Sequence, residues 1–320
     1  MDYAKAGVNI DERDRALKGL IGELNKTMKN RKVLLDIGQY ANLIDLGDVA
    51  LALCTDGVGT KIMVAEQLDD YSSIGIDCIA MNVNDAICVG AEPIAMVDYI
   101  AMDKPDERIL REIGAGLREG ADEAGIAIIG GETAIVPELV RGLDLSGTCL
   151  GAVQKDRIVD GSKIDESDAL IGLQSSGIHS NGLTLARKVL RPDEATAREL
   201  LIPTRIYVKP VLELLKRVRV KGLAHMTGSG IRNLKRLKKG IGFEIDHWPE
   251  IPEIFTRIES TGVSRAEMFR TFNMGIGFCV VAAQGDVEDT MRILKDFNPM
   301  VIGKAVRSAE NTIRVGGLSF

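Results

Sequence analysis

The sequence predicts an α/β protein of two domains whose sheets mix parallel and antiparallel strands. Three observations carry that prediction. Apolar runs of strand length alternate with helical stretches along the chain. Several of these runs end in a glycine-rich, polar junction. A polar connector, residues 154–168 (QKDRIVDGSKIDESD), separates two such series, which places the domains at 1–165 and 166–320. With 320 residues, 45% of them hydrophobic and 27% charged, the chain can fill two cores. Aromatics are only 4%, so Ile, Val, Leu, Ala and Met supply the core volume.

The elements follow in order. Residues 11–30 set Leu17, Leu20, Ile21 and Leu24 at helical spacing and read as an amphipathic helix. Residues 49–54 (VALALC) are a strand that runs straight into Thr55-Asp56-Gly57. The apolar residues of 75–90 are too dense for an exposed helix, so a buried one is expected. Residues 93–101 read as a strand. Residues 105–124 read as a helix with Pro105 in its first turn and Gly125 past its end. Residues 126–129 read as a short buried strand closed by Gly130-Gly131, and 143–153 as another strand. In the second series, strands are expected at 169–173, 222–226, 277–282 and 300–306, and helices at 182–190 and 203–218.

Composition excludes several classes. The net charge is −6, and the one basic run, Arg232–Lys239, reads as the solvated face of a helix, so no nucleic-acid partner is expected. Five cysteines without a CxxC spacing give neither a disulfide framework nor a zinc site. Residues 1–10 lack the apolar core of a signal peptide, and no apolar run reaches 18 residues, so a cytoplasmic protein without a membrane span is expected.

Six segments carry chemistry. The first is Thr55-Asp56-Gly57-Val58-Gly59-Thr60-Lys61, where two glycines let the backbone approach a ligand between an acid and a base. It suits phosphate plus metal, and an ordinary strand-to-loop turn fits equally well. It is not a Walker A loop. The second, Asn82-Val83-Asn84-Asp85, sets polar groups in an apolar helix, where an unpaired one costs about 1–3 kcal/mol. Asp85 there needs a cation or several donors; an internal hydrogen-bond network is the structural alternative. The third is Gly130-Gly131-Glu132-Thr133-Ala134. Asp56, Asp85 and Glu132 together can supply oxygen ligands for Mg²⁺, or can be three unrelated acids. The fourth, Ser175-Ser176-Gly177-Ile178-His179-Ser180-Asn181-Gly182, is rich in donors at a helix entry. Its His179 reads as an acid–base or phosphate donor, or as a satisfied structural histidine. The fifth is His225-Met226-Thr227-Gly228-Ser229-Gly230, and the sixth is Met268–Gly277, with Arg270 and Asn273 near two glycines. His247 reads as structural. Gly114-Ala115-Gly116 lies inside a helix and is no dinucleotide fingerprint.

Taken together, these motifs resemble the aminoimidazole ribonucleotide synthetase family, in its order and spacing over nearly the whole chain: TDGVGTK, GIDCIAMNVNDAICVGAEP (75–93), GGETA, SSGIHSNG, PTRIYVKPVLELL (203–215) and MFRTFNMGIG, with YAKAGVNI (3–10) at the start. The resemblance implies a homodimer whose first domains build a shared β-barrel. It implies an ATP-dependent ring closure of formylglycinamidine ribonucleotide, with Mg²⁺ and a common requirement for K⁺. By motif position it implies that Asp56, Asp85 and Glu132 hold Mg²⁺. Lys61, Gly57, Gly59, Thr60, Asn84, Gly131 and Thr133 surround ATP. His179, with Ser176, Ser180 and Asn181, meets the substrate, and Thr227, Gly228 and Ser229 meet its phosphate. His179, Lys61 and Asp85 are the catalytic candidates. Two departures stand out: Asp36–Ala41 replaces a glycine-rich stretch that covers ATP in many members, and TGSG replaces TGGG. Within the superfamily the competing readings are a thiamine-monophosphate kinase and a silent nucleotide-binding subunit.

Overall fold

The computed structural model describes residues 10–29 and 31–320, so the opening motif YAKAGVNI lies, up to Asn9, outside the described residues. The first half runs α1 (Ile10–Met28), β1 (Asn42–Asp45), β2 (Val49–Gly57), α2 (Ile62–Leu68), α3 (Ile74–Ile87), β3 (Glu92–Met102), α4 (Glu107–Ala124), β4 (Ala127–Ile135) and β5 (Leu143–Gln154). The second runs β6 (Ala169–Gln174), α5 (Leu183–Leu190), α6 (Glu194–Leu200), α7 (Val208–Arg217), β7 (Gly222–His225), β8 (Ile241–Ile245), α8 (Glu253–Ser260), α9 (Arg265–Thr271), β9 (Ile276–Ala282), α10 (Val287–Ile293), β10 (Met300–Arg307), β11 (Ile313–Val315) and β12 (Leu318–Ser319). The mixed two-sheet architecture agrees with the prediction.

The first sheet has the order β1-β2-β5-β3-β4, antiparallel except for the parallel β3–β4 pair. Period-2 alternation sorts β2: Ala50, Ala52 and Cys54 face inward, and Leu53 and Thr55 face out. α3 covers the inner face, and every residue from Ile74 to Ile87 except Ile76 is buried. α4 packs on α3. Asp106 caps it by accepting from the Ile109 N–H, and Gly125 ends it at φ 78°. Pro105 therefore precedes the cap instead of opening the helix.

Three expectations need correction. Residues 126–129 are not a buried strand closed by a loop; β4 is an edge strand that runs on through GGETA and is exposed at nearly every residue. Hydrophobicity alone does not tell an edge from a centre. Residues 203–207 form no regular element, and α7 begins only at Val208. The basic run lies on a 3₁₀ turn, Gly230–Arg236, with Ile231 and Leu234 buried beneath it. As for the barrel, the first sheet is open within one chain, with β1 and β4 at its edges.

The second sheet has the order β12-β11-β8-β10-β6-β9-β7, antiparallel except β8–β11. β9 is buried at every position and β6 at all but its last. Among the described residues no helix is long and apolar enough to cross a membrane.

Candidate active site

β2 carries Asp56 inward to the tip of α3, and Asn82 fixes it there. The Asn82 side-chain oxygen accepts from the Asp56 N–H at 2.9 Å, and its amide donates to the Asp56 carbonyl at 3.1 Å and to the Cys78 carbonyl at 2.9 Å. Asp85 is one helical turn further on and only 8% exposed. Its Oδ1 lies 2.9 Å from Nδ1 of His225, at the end of β7. The donor that a buried Asp85 demands thus comes from the second domain. Burial, and then the neighbouring Asp85 charge, push the Asp56 carboxyl up to about 6. A carboxyl whose ionisation is opposed by burial and by a neighbouring carboxylate is a place where a cation is welcome.

Glu132 does not join them within one chain. The strand register runs Asp56–Gly147–Asp98–Gly131 across the sheet, and a Cβ on Gly131 would strike the Asp98 carboxylate. Glu132 follows Gly131 and pairs with Tyr99, so by the strand pleat it stands on the opposite, outer face. Among the described residues no group of three or more His, Cys, Asp or Glu is close enough to hold a metal ion. Thr133 and Gly131 lie exposed on the same edge strand.

Several of the residues singled out in the sequence make internal contacts. Lys61 is fully buried. Its ammonium pairs with Asp77 at 2.8 Å and donates to the Ile202 carbonyl at 2.7 Å. Asp77 also accepts from the Thr204 N–H at 2.7 Å, the Thr204 hydroxyl at 2.6 Å and the Ser180 hydroxyl at 3.0 Å. Asn84 is fully buried: it donates to the Arg205 carbonyl at 2.8 Å and accepts from the Tyr207 N–H at 2.9 Å. His179 is fully buried too, in left-handed backbone at φ 59°, and accepts from the Ser176 N–H at 3.2 Å. Burial pushes its pKa well down, which keeps the ring neutral. Ser176 donates to the Pro203 carbonyl at 2.6 Å. The fourth motif and PTRIY are therefore the joint between the domains.

What remains open is narrower. Gly57 is half-buried, while Gly59 and Thr60 are exposed at the end of β2; the Thr60 hydroxyl lies 3.0 Å from that of Thr184. Thr227, Gly228 and Ser229 are half-buried beyond β7. Asn233 shapes this loop by donating to the carbonyls of Thr227 at 3.2 Å and Gly230 at 2.9 Å. Asn273 ties the sixth motif to the fourth, donating to the Gly177 carbonyl at 2.9 Å and accepting from the Gly275 N–H at 2.8 Å. The stretch Asp36–Ala41 is anchored at its end. Tyr40 is buried, its hydroxyl donates to the Asn233 carbonyl at 3.3 Å, and the Arg236 guanidinium lies 4.8 Å over its ring. His247 is exposed beside Asp246, in no structural role of the kind expected. A cavity of about 660 Å³ lies elsewhere, between the ends of β5 and α7, and none of the predicted site residues lines it.

Sequence reasoning missed His225 as the partner of Asp85. Its signal was the strand-to-glycine junction, which marks a position and does not say which acid it meets. The clamp of Asp77 on Lys61 has no local signal in the sequence.

Two family models match the chain: AIR synthase related protein, N-terminal domain, over residues 38–153, and AIR synthase related protein, C-terminal domain, over 165–316. A Pyrococcus furiosus protein named phosphoribosylformylglycinamidine cyclo-ligase is 54% identical over 310 residues, covering 93% of this chain and 92% of that one. One of the same name from Methanococcus vannielii is 48% identical, covering 98% and 94%. Solved structures share the fold at low identity. A HypE–HypF complex aligns with a TM-score of 0.69 at 19% identity, covering 94% of this chain and 98% of that one. AaThiL complexed with AMPPCP and TMP aligns with a TM-score of 0.66 at 14% identity, covering 94% and 93%.

Proposed function

The chain belongs to the AIR synthase related family, and from that premise we propose that it is the ATP-dependent cyclo-ligase of purine biosynthesis. It turns formylglycinamidine ribonucleotide and ATP into aminoimidazole ribonucleotide, ADP and phosphate. The relatives supply the reaction. The structural observation that carries it is the pairing of half-buried Asp56 with buried Asp85, whose carboxylate meets His225 of the second half of the chain.

The chemistry asks little covalent work of the protein. A formyl oxygen is a poor leaving group. Transfer of the γ-phosphoryl group to it gives an iminophosphate, which the substrate's own ring-forming nitrogen displaces with release of phosphate. The protein positions the two reactants and stabilises charge on the phosphoryl oxygens. Mg²⁺ fits the donor set: two hard carboxylates suffice when the triphosphate and water complete the shell. When bound, it would neutralise charge on the triphosphate. Asp56 and Asp85 would hold it, with Asn82 fixing the backbone of the first and His225 the orientation of the second. Gly57, Gly59 and Thr60 offer the approach to the phosphates. The bonds of Asp77 with Lys61, Ser180 and Thr204 and of Asn84 with Tyr207 tie the two halves of the chain together, and His225, two residues before the loop Thr227–Ser229, meets Asp85.

A homodimer belongs to the same reading. Leu53, Val97 and Tyr99 lie exposed on the outer face of the first sheet, and Ile129, Ile135 and Leu139 on and after its edge strand. A second copy would cover them, and Glu132 would then reach a metal only through that pairing. Five free, buried cysteines accord with a cytoplasmic setting.

The test is turnover. The full chain with ATP, Mg²⁺ and formylglycinamidine ribonucleotide should yield the diazotisable aminoimidazole, and exchange of K⁺ for Na⁺ reads the potassium requirement. ATP binding without product would favour a silent subunit, and phosphorylation of thiamine monophosphate a kinase.

A further inference from the structure

Arg270 has no part in the phosphoryl-transfer chemistry described so far. Arg270, on α9, is half-buried, and its Nε is enclosed without a hydrogen-bond partner. Among the described residues its side chain has no ion pair either. The Nε donor of Arg270 is therefore unmet inside the protein, and an anion beside the guanidinium would satisfy it. Asn181 is in the same condition: its amide nitrogen is enclosed and unpartnered.

The glycine loop brings the two together. A Cβ on Gly228 would lie 2.9 Å from the Asn181 side-chain oxygen. A Cβ on Gly230 would collide with the Phe269 carbonyl and come within 2.9 Å of the backbone carbon of Arg270. Gly230 is also left-handed, at φ 52°. The loop Thr227–Gly230 therefore runs between residue 181 on one side and residues 269–270 on the other, at the closest approach that glycine allows. It begins two residues after His225, whose ring touches Asp85. An anion seated here shares a wall with the carboxylate pair and needs its own cation to offset that repulsion.

We infer that Arg270 and Asn181 clamp a phosphate monoester across the Thr227–Gly230 loop, and that this phosphate is the ribonucleotide's own and not part of ATP. The inference rests on the cyclo-ligase reading for the substrate's identity, and on the structure alone for the clamp. Arg270 is then a binding residue that selects the phosphorylated substrate. A bidentate guanidinium–phosphate contact is a charge-assisted one, worth about 10- to 100-fold in affinity.

Steady-state kinetics of Arg270→Gln on the full chain test it. KM for formylglycinamidine ribonucleotide should rise by about 10- to 100-fold, with KM for ATP within about twofold of the parent. Arg270→Lys should recover part of the loss, and Asn181→Ala should raise the same KM. The Arg270→Gln melting temperature should equal or exceed the parent's, because the side chain makes no internal bond to lose. A rise in KM for ATP instead would assign the cation to the nucleotide and overturn the inference, as would an unchanged ribonucleotide KM. Calorimetric titration with ribose 5-phosphate, without ATP, separates the two readings. Binding that depends on Arg270 in a chain with no cyclo-ligase turnover upholds the clamp and sinks the reaction. Turnover with no dependence on Arg270 does the reverse.

Discussion

At the scale of single residues, the charge states of buried groups decide what each one can do. Lys61 and Asp77 show a buried ion pair, with the ammonium 2.8 Å from Oδ2 and four donors gathered on Oδ1, and removing one partner of such a pair typically costs about 3–5 kcal/mol. Asp56 shows the opposite case, a carboxylate held at a loss. Its folded pKa of about 6 lies above the ordinary unfolded value of about 3.9. Between those two pH values the folded chain keeps a proton that the unfolded chain has released, so stability falls as pH rises through the window. About two pH units at 1.36 kcal/mol each make the full cost at most about 3 kcal/mol, complete above pH 6 and absent below pH 4. Asp56→Asn removes it. Urea unfolding without Mg²⁺ at pH 5 and pH 7.5 should show the parent losing stability from Asp56 ionisation and the variant losing less, while ATP turnover by the variant collapses. An identical pH dependence in both chains would show that Asp56 ionises freely.

At the scale of elements, the site depends on where α3 lies, and that depends on glycine. A Cβ on Gly75 would collide with the Leu117 N–H and the Ile113 carbonyl of α4, and one on Gly116 with the Ser72 carbonyl. The two helices touch backbone to backbone, so α3 can sit fully buried between the sheet and α4 with Asp85 at its far end. Overpacking typically costs about 1–3 kcal/mol, and a clash with backbone belongs at the upper end. Gly75→Ala should therefore lower the urea midpoint by about 3 kcal/mol of stability, and the surviving folded protein should turn over more slowly because the carboxylates shift. A midpoint unchanged within error would mean that the helices separate at no cost. The same position shows where the sequence was readable. Period and apolar density gave α3, α4 and the central strands, because burial on a helix or strand leaves a local pattern. Rejecting Gly114-Ala115-Gly116 as a nucleotide loop was correct, but nothing local announced that Gly116 serves helix packing. Asp56 and Asp85 were legible as acids in apolar surroundings. The internal partners of Lys61 and Asn84 were not legible, because a polar residue beside glycines looks the same whether its partner is a ligand or a carbonyl more than a hundred residues away. Edge strand β4 was misread for a related reason: Ile128 and Ile129 are as hydrophobic as a core pair.

At the scale of the whole molecule, a single chain leaves a sheet half-finished. The inner face of the first sheet lies under α3, but its outer face exposes Leu53, Val97 and Tyr99, and Ile129 at the edge is 67% exposed. Contiguous apolar surface beside open strand edges invites pairing with another chain unless something covers it. A second copy is the economical cover, since twofold pairing sets the same patch against itself and closes both edges at once. The pairing also bears on chemistry, because Glu132 stands on that outer face and is kept from the Asp56–Asp85 pair of its own chain by the pleat. Sedimentation velocity of the parent chain at micromolar concentration should give about twice the 34.6 kDa of one chain. Tyr99→Glu combined with Ile129→Glu, both at exposed positions, should return it to one chain with its circular dichroism intact. If Glu132 acts only across the interface, this monomer should lose ATP turnover as completely as Glu132→Gln does in the dimer, whereas a fully active monomer would place every catalytic contact within one chain.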